Sequence, residues 1–400
     1  MADDRLELGE VLAAAEAAAP VASVDVVAWN LRNRFGAFAV SFLFVDLIGQ
    51  QMVRLTEAEA APQRGQGAEQ IPLSGSVYDQ VLRTQRLTTV LEPGQGQRVI
   101  APVTNRGDTI GVLELTLPEA GVEVLEQIRQ AAHVLAYIIV TDRRFTDLYE
   151  WGQRTTTISL AAEIQYQLLP SATCCEAAEF TIAGGLVPAE TIAGDTFDYA
   201  LDHDTLHLSI TDAMGHDVKA AMLATLLVNA SRSARRAGED LSEQAGQSHR
   251  AMLDHGRDSI ATGQMLRISL DGTCAQMVNA GHPNPLRLRD GCVDTVPVES
   301  NLPFGVPLPC DYRAQDLDLR PGDRLVLYTD GMQERQAAAV DLPALIRDTA
   351  FQHPRETVRT LTDAASGACN GHLQDDATVI CLDWHGRHPA GRRTRAGTDT

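Results

Sequence analysis

The chain has 400 residues, of which 44% are hydrophobic and 22% charged, so it is long enough for two globular domains of ordinary size. Its formal net charge of −20 argues against nucleic acid as a main partner, because phosphate binding depends on clustered Lys and Arg. There is no apolar run of the roughly 18 residues that a membrane span needs, and the 7 cysteines form no CxxC pair, so the sequence predicts no membrane contact, no zinc site, no disulfide framework and a cytoplasmic location.

The first part of the chain alternates between apolar runs and turn signals. The pattern predicts strands at 37–48 and 51–56, a helix at 76–86, a hairpin at 98–117 and a long helix at 122–149. This order, with the hairpin sequence VIAPVTNRGDTIGVLEL, resembles a GAF domain. The alternative is a small α+β domain outside that family.

A helical stretch with few turn formers follows between residues 131 and 168. Its apolar positions recur close to every 3.5 residues, are interrupted at Gly152, and resume until Pro170 ends the helix. The members of this seam are Val134, Ile138, Phe145, Leu148, Leu160, Ile164 and Leu168. Such a seam favours pairing with a second copy, and therefore a homodimer; the alternative is that each part packs on its own domain.

The remaining chain is rich in strand signals with few βαβ alternations. Helical patterns occur at 220–236, 241–257 and 342–370, between apolar runs such as TLHLSITDA and DRLVLYTDG. This arrangement predicts an antiparallel, layered α+β domain.

Four acidic motifs in this second part share one pattern, in which an apolar strand ends at an aspartate in a turn. Their carboxylates belong to Asp195 and Asp198, Asp212, Asp330, and Asp375 with Asp376. If they converge, they repel one another unless cations lie between them, and ligands that are all oxygen favour Mg²⁺ or Mn²⁺ over zinc. One such motif alone usually marks a turn, so the prediction depends on all four motifs.

The second part also resembles the PPM-type metal-dependent serine/threonine phosphatases, in the bacterial branch of stage II sporulation protein E and the sigma-factor regulator phosphatases. The matching segments occur in the family's order: AGDTFD, TDAMGHDVKAAMLATLL, VNAGHPNPLRLRDG, LPFGV, LRPGDRLVLYTDGMQER and DDATVICL. Two departures are Ala193, where the family has glycine, and Asp217, where it has a small residue.

The resemblance implies an α-β-β-α sandwich that hydrolyses phosphoserine or phosphothreonine with water activated by two Mn²⁺ or Mg²⁺ ions. It assigns catalysis to Asp212, Asp330 and Asp195. As metal ligands it implies Asp212 as the bridge, the carbonyl of Ala213, Asp330, Asp375 or Asp376, Asp195 through water, and Asp198 at a second acidic position. His282, in a Gly-His-Pro segment, is interpreted as a structural residue, with proton donation as the alternative.

The implied substrate is a phosphorylated anti-anti-sigma protein with a STAS domain, and the N-terminal domain is expected to control the activity. The alternatives are a catalytically silent scaffold and a ligand sensor. Because the acidic positions are kept, the sequence favours an active enzyme. The predicted organisation is a GAF-like domain at 1–130, a helical linker at 131–170, a phosphatase domain at 171–384 and a disordered basic tail at 385–400.

Overall fold

The computed structural model describes residues 8–55, 68–92, 94, 96–155, 158–189, 194–215, 217–256, 259–333, 336–369, 373 and 375–387. The chain forms two compact units that divide after residue 157. Of the predicted basic tail, only residues 385–387 are described, so that prediction lies outside the described residues. None of the helices in the described ranges has the length and apolar character that crossing a membrane would require.

The first unit is one antiparallel sheet with helices on both faces. Its elements are α1 (Leu8–Ala17), α2 (Ser23–Phe35), β1 (Ala39–Val45), β2 (Gln51–Leu55), β3 (Glu69–Pro72), α3 (Val77–Thr84), β4 (Thr88–Glu92), β5 (Gly96–Asn105), β6 (Asp108–Leu117), α4 (Val122–Asp142) and α5 (Leu148–Gly152). The strand order is β3-β2-β1-β6-β5-β4. One apolar core joins α1, α2 and α4 to the sheet, and a second joins α3 to its other face.

The predicted hairpin of this unit is confirmed. Strands β5 and β6 pair in antiparallel register around a turn in which Arg106 and Gly107 have φ values of 47° and 83°. Two successive residues with positive φ match the right-handed twist of the strands that they join. The predicted helix at 76–86 is also present, and the Ser76 hydroxyl caps it by accepting from the Asp79 backbone N–H.

The continuous linker helix between residues 131 and 168 is not observed. Helix α4 ends at Asp142, α5 is short, and the next helix begins only at Leu160, within the second unit. Val134 and Ile138 are buried in the core of the first unit, so this part of the seam packs on its own domain. For Val134 and Ile138 the periodicity reflects packing in the core of the first unit.

The second unit contains the remaining elements. They are α6 (Leu160–Leu168), β7 (Cys174–Glu176), β8 (Phe180–Val187), β9 (Asp195–Leu201), β10 (Thr205–Ala213), α7 (Asp217–Arg236), α8 (Leu241–His255), β11 (Ala261–Ser269), β12 (Ala275–Ala280), β13 (Leu286–Arg289), β14 (Cys292–Thr295), β15 (Ser300–Asn301), β16 (Gln315–Asp316), β17 (Arg324–Tyr328), α9 (Leu342–Asp348), α10 (Pro354–Ala368) and β18 (Ala377–Trp384).

Two six-stranded sheets form the middle of this unit. The first sandwich sheet has the order β15-β12-β11-β10-β9, with β16 beside β12, and the second has the order β14-β13-β17-β18-β8-β7. An apolar core between them contains Phe197, Leu208, Leu327 and Ile380. Helices α7 and α8 cover the outer face of the first sheet, and α9 and α10 cover that of the second. The predicted α-β-β-α layering is therefore present.

Candidate active site

The carboxylates of Asp195 and Asp212 belong to neighbouring strands at one end of the sandwich. The two residues face each other in the β9–β10 register, and Thr262 of β11 faces Asp212 from the other side. Directly opposed residues point to the same face of a sheet. That face is the inner one, because Phe197 and Ile210, which share its alternation, lie in the core between the sheets. We call this end of the sandwich the acidic end.

Asp195 connects the two sheets at the acidic end. Its Oδ2 accepts hydrogen bonds from the hydroxyls of Thr329 and Thr378, each at 2.7 Å, and only 2% of the residue is exposed. Thr329 directly precedes Asp330, and Thr378 lies two residues after Asp376. These bonds therefore place three of the four acidic motifs against one another.

Burial, followed by the charges of Asp212 and Asp376, raises the pKa of Asp195 well above its ordinary value. The hydroxyls of Thr329 and Thr378 act in the opposite direction without cancelling this effect. A carboxylate held among like charges away from water is unstable unless a cation joins it. The site therefore has the electrostatic character of a cation site.

Asp330 and Asp376 lie on adjoining backbone segments. Asp330 opens a 3-10 turn that follows β17, and a Cβ on the next residue, Gly331, would collide with the carbonyl oxygen of Asp376. Glycine at position 331 thus permits this approach. Asp212, Asp330 and Asp375 are half-buried, so their carboxylates retain contact with solvent.

Three donors bind the carboxylate of Asp376. Its Oδ1 accepts from the N–H of Ala189 at 2.8 Å, and its Oδ2 accepts from Gln165 Nε2 at 2.7 Å and from the N–H of Gly194 at 3.2 Å. These bonds tie Asp376 to the loops around the site.

Ala213, the predicted carbonyl ligand, follows Asp212 at the end of β10. Its N–H donates to the carbonyl of Gly194 at 3.1 Å, and a Cβ on Gly194 would collide with the Ala213 carbonyl oxygen. The Ala213 carbonyl therefore lies at the acidic end beside β9. The neighbouring motif residues Ala193 and His216 are outside the described residues, and Asp217 begins α7 with a φ of 64°.

Asp198 does not join the other aspartates. It lies on the outer face of β9, where Arg232 Nη2 is 2.9 Å from its Oδ1 and Arg235 Nη1 is 3.1 Å from its Oδ2. Both guanidinium groups come from α7. The sequence carried a signal for this outcome, because residues three apart on a strand point to opposite faces.

Gln165 is the site residue that sequence reasoning missed. It lies on α6, is fully buried, and its Nε2 donates to the backbone carbonyl of Asp195 as well as to Asp376, both at 2.7 Å. Gln165 directly follows Ile164 of the apolar seam, and nothing in the local sequence showed that its amide would be buried. Its partner Asp376 is 211 residues away, so the contact itself could not be read from local pattern.

The donor chemistry of the acidic end fits divalent cations such as Mg²⁺ or Mn²⁺, since carboxylates and one backbone carbonyl supply only oxygen. The raised pKa of Asp195 supports this fit from the structure itself. Within the described ranges, however, no three His, Cys, Asp or Glu side chains are already gathered as a metal-binding group. The individual ligand assignments are therefore proposals.

Residues 202–385 match the family model described as Stage II sporulation protein E (SpoIIE). The chain is similar to "Phosphoserine phosphatase RsbU" of Bacillus subtilis (strain 168), with 25% identity over 232 residues, which are 56% of this chain and 69% of that protein.

Two solved structures are also similar. The RsbU and RsbW domains of Rv1364c from Mycobacterium tuberculosis have 26% identity and a TM-score of 0.44, over 53% of this chain and 61% of that one. The phosphatase domain and regulatory fragment of SpoIIE from Bacillus subtilis have 19% identity and a TM-score of 0.45, over 53% of this chain and 65% of that one. The chain thus spans less than two thirds of either solved chain.

Proposed function

Because residues 202–385 match the model of the stage II sporulation protein E family, we propose that this chain is a metal-dependent protein serine/threonine phosphatase acting on phosphoserine in a sigma-factor regulatory pathway. One observation carries the proposal: Asp195 pairs with Asp212 across β9 and β10 and bonds to the threonines beside Asp330 and Asp376. These contacts bring motifs that are distant in the sequence together in one site.

In this proposal the carboxylates of Asp212, Asp330 and Asp375 and the carbonyl of Ala213 would hold two Mn²⁺ or Mg²⁺ ions. The ions, when bound, supply charge to neutralise the phosphoryl oxygens and to activate water. Asp195 accepts from Thr329 and Thr378 through Oδ2 and thus has a fixed orientation toward Asp212. Asp198 has no place among the ligands, because arginines neutralise it on the other face.

The substrate in this proposal is a phosphorylated anti-anti-sigma protein with a STAS domain. The resemblance to the sigma-factor regulator phosphatases and the similarity to a phosphoserine phosphatase support this choice. A STAS protein phosphorylated on serine, compared with the same protein phosphorylated on tyrosine, tests it. Release of phosphate from the tyrosine form at an equal rate would contradict the serine assignment. Such a pathway implies a cytoplasmic location.

Control is proposed to come from a GAF-like N-terminal domain. The six-stranded antiparallel sheet with helices on both faces and the β5–β6 hairpin support that description. Gln165 supplies a physical route, because it joins α6, the first helix after the boundary between the units, to Asp195 and Asp376. A displacement of α6 would therefore alter the acidic end.

We also propose a homodimer, which is supported by the exposed residues of the seam. Of the seam, Phe145 and Leu160 are 71% and 65% exposed, whereas Val134 and Ile138 belong to the core. Sedimentation of the full chain, compared with a Phe145→Ser, Leu160→Ser variant, tests the dimer. A wild type that sediments as a monomer would contradict the proposed homodimer.

The proposed activity is tested by phosphoserine release in Mn²⁺, with Asp330→Asn compared with the wild type. Loss of a ligand charge should abolish most of the activity, whereas Asp318→Asn, an exposed aspartate bound to Arg289 and Arg320, should leave it unchanged. Equal rates for wild type and Asp330→Asn would contradict the mechanism. Titration calorimetry with Mn²⁺ then separates the alternative of a silent scaffold, which would bind no metal.

A further inference from the structure

His249 lies on the buried side of α8, against the loop of residues 302–312, and is only 5% exposed. Its Nδ1 is 3.2 Å from the backbone nitrogen of Gly305 and 3.1 Å from the hydroxyl oxygen of Tyr312. A backbone N–H can only donate, so Nδ1 must be the acceptor of the Gly305 bond. Burial, followed by the charge of Arg250, lowers the pKa of His249, so the ring is neutral at neutral pH and carries its proton on Nε2.

The loop is shaped to present this N–H to the imidazole. Gly305 has a φ of 86°, which favours glycine, and a Cβ at this position would collide with the carbonyl oxygen of Ser259. The preceding residue, Phe304, is fully buried, and its ring stacks on that of Tyr312 with 5.4 Å between the centroids. These contacts hold the peptide group between residues 304 and 305 in one orientation.

Three peptide groups connect His249 to the end of β10 by hydrogen bonds. The Phe304–Gly305 peptide donates its N–H to His249, and its carbonyl accepts from the Ile260–Ala261 peptide at 3.0 Å. The carbonyl of the Ile260–Ala261 peptide accepts from the Ala213–Met214 peptide, also at 3.0 Å. The carbonyl at the end of this row is that of Ala213, one of the proposed metal ligands.

The row has one direction, because the N–H and the C=O of a trans peptide point to opposite sides. The N–H of Met214 points to β11, so the Ala213 carbonyl points away from β11, in agreement with its closeness to Gly194 beside β9. A cation at this carbonyl would polarise all three peptide groups in the same sense. Hydrogen bonds in such a chain strengthen one another.

We infer that His249 is a positioning residue for the metal site: its Nδ1 accepts the last hydrogen bond of a row of three peptide groups, and thereby fixes the Ala213 carbonyl and increases the negative charge on its oxygen. Because Ala213 is a ligand only in the proposed function, the role of His249 rests on that function. The coupling is reciprocal, so a bound cation should strengthen the bond from Gly305 to His249.

NMR of the full chain with Mg²⁺, which is diamagnetic, tests this coupling without measuring activity. Addition of Mg²⁺ should shift the amide proton of Gly305 downfield, because a stronger hydrogen bond deshields the proton. The ring of His249 should carry its proton on Nε2 both with and without the ion. A proton on Nδ1 would overturn the inference, and so would a Gly305 signal that does not move downfield at saturating Mg²⁺.

Two substitutions of His249 separate the acceptor from the packing of the ring. His249→Leu removes the acceptor at similar size, and we expect Mn²⁺ affinity in titration calorimetry to fall about 10-fold, the lower end of the range for partners outside the ligand shell. His249→Asn retains an acceptor oxygen near the position of Nδ1 and should recover most of that loss. Wild-type affinity in His249→Leu, or no recovery in His249→Asn, would overturn the inference.

Tyr312→Phe is the matched control for loosening of the loop. It removes the hydroxyl that donates to the carbonyl of Leu302 at 3.0 Å, but it leaves the three peptide groups and their acceptor in place. This variant should keep wild-type Mn²⁺ affinity even if it lowers the melting temperature. A loss equal to that of His249→Leu would show a general effect of the loop and overturn the inference.

Failure of the inference can be distinguished from failure of the proposed function. If His249→Leu does not fold, the shift of the Gly305 amide proton with Mg²⁺ decides by itself. A wild type that binds the metal and releases phosphate without that shift refutes the role of His249 alone. A wild type that neither binds the metal nor releases phosphate refutes the proposed function and the role of His249 with it.

Discussion

Buried carboxylates on the two faces of the first sandwich sheet have different kinds of partners. On the outer face, Asp198 is neutralised by Arg232 and Arg235. On the inner face, the partners of Asp195 are threonine hydroxyls, and burial, followed by the charges of Asp212 and Asp376, raises its pKa. A buried carboxylate with guanidinium partners is neutralised by the protein itself, whereas a group of carboxylates without such partners is suited to a cation from outside.

Neutralising one aspartate on each face of β9 tests whether the two faces differ in function. Asp195→Asn should lower phosphoserine release by more than about 100-fold, because the residue is closer to the reaction than the outer partners whose loss costs 10- to 100-fold. Asp198→Asn should lower it far less. Rates at saturating Mn²⁺ decide the matter, and similar losses for both variants would show that the two faces do not differ in function.

The contact from α6 provides the next largest expected effect. Gln165→Ala removes donors to the Asp195 carbonyl and to Asp376, so we expect a loss of about 10- to 100-fold in activity or Mn²⁺ affinity. The control is Gln167→Ala, which changes the same residue type on the exposed face of the same helix. Phosphate release and calorimetry compare the two, and equal behaviour would disprove the proposed route from α6 to the site.

The outer face should show its role in stability instead. Arg232 Nη2 donates to Asp198 and, at 2.7 Å, to the carbonyl of Leu168 at the end of α6. Arg232→Gln should lower the free energy of unfolding by about 2 kcal/mol, the typical contribution of a hydrogen bond to a charged group, reduced by partial exposure. Urea unfolding measures this, and a variant as stable as the wild type would show that the pair contributes nothing.

We also expect the stability of the fold to depend on pH in the absence of metal, because of Asp195 at the acidic end. The pKa of Asp195 is raised above 3.8 in the folded state, so its charged form destabilises the fold above that raised pKa. This destabilisation is relieved as the pH falls through the raised value. Asp195→Asn should therefore be more stable than the wild type at neutral pH in EDTA, with the difference shrinking in acid. A difference that grows in acid would contradict the sign.

We expect the smallest effect from His207, on the outer face of β10. Its contribution to stability should change with pH in the opposite direction to that of Asp195. Burial, then Arg235 and Arg267, lower its pKa from 6.5 to about 4. Its neutral form stabilises the fold fully above pH 6.5, and this contribution is lost as the pH falls toward 4. Urea unfolding of His207→Gln should show less loss of stability over this interval than the wild type. An equal loss would mean that His207 is not the group responsible.

Local sequence pattern was sufficient for the elements that carry the site. The alternation in TLHLSITDA and DRLVLYTDG placed Asp212 and Asp330 correctly at or just beyond strand ends, and the β5–β6 hairpin followed from its turn residues. In α4 the pattern left two alternatives, and the burial of Val134 and Ile138 in the core of the first unit agrees with packing on their own domain. A buried helix face has the same period whichever surface it packs on.

The sequence by itself indicated strands β10 and β17 and the aspartates beside their ends, because strand alternation and turn chemistry act over a few residues. Only the tertiary structure decided which groups contact each carboxylate. Asp198 lies 34 residues before Arg232, and Gln165 lies 211 residues before Asp376. Such partners are chosen by the packing of sheets and helices, and it is this packing that separates the neutralised aspartate of β9 from the one that faces the proposed metal site.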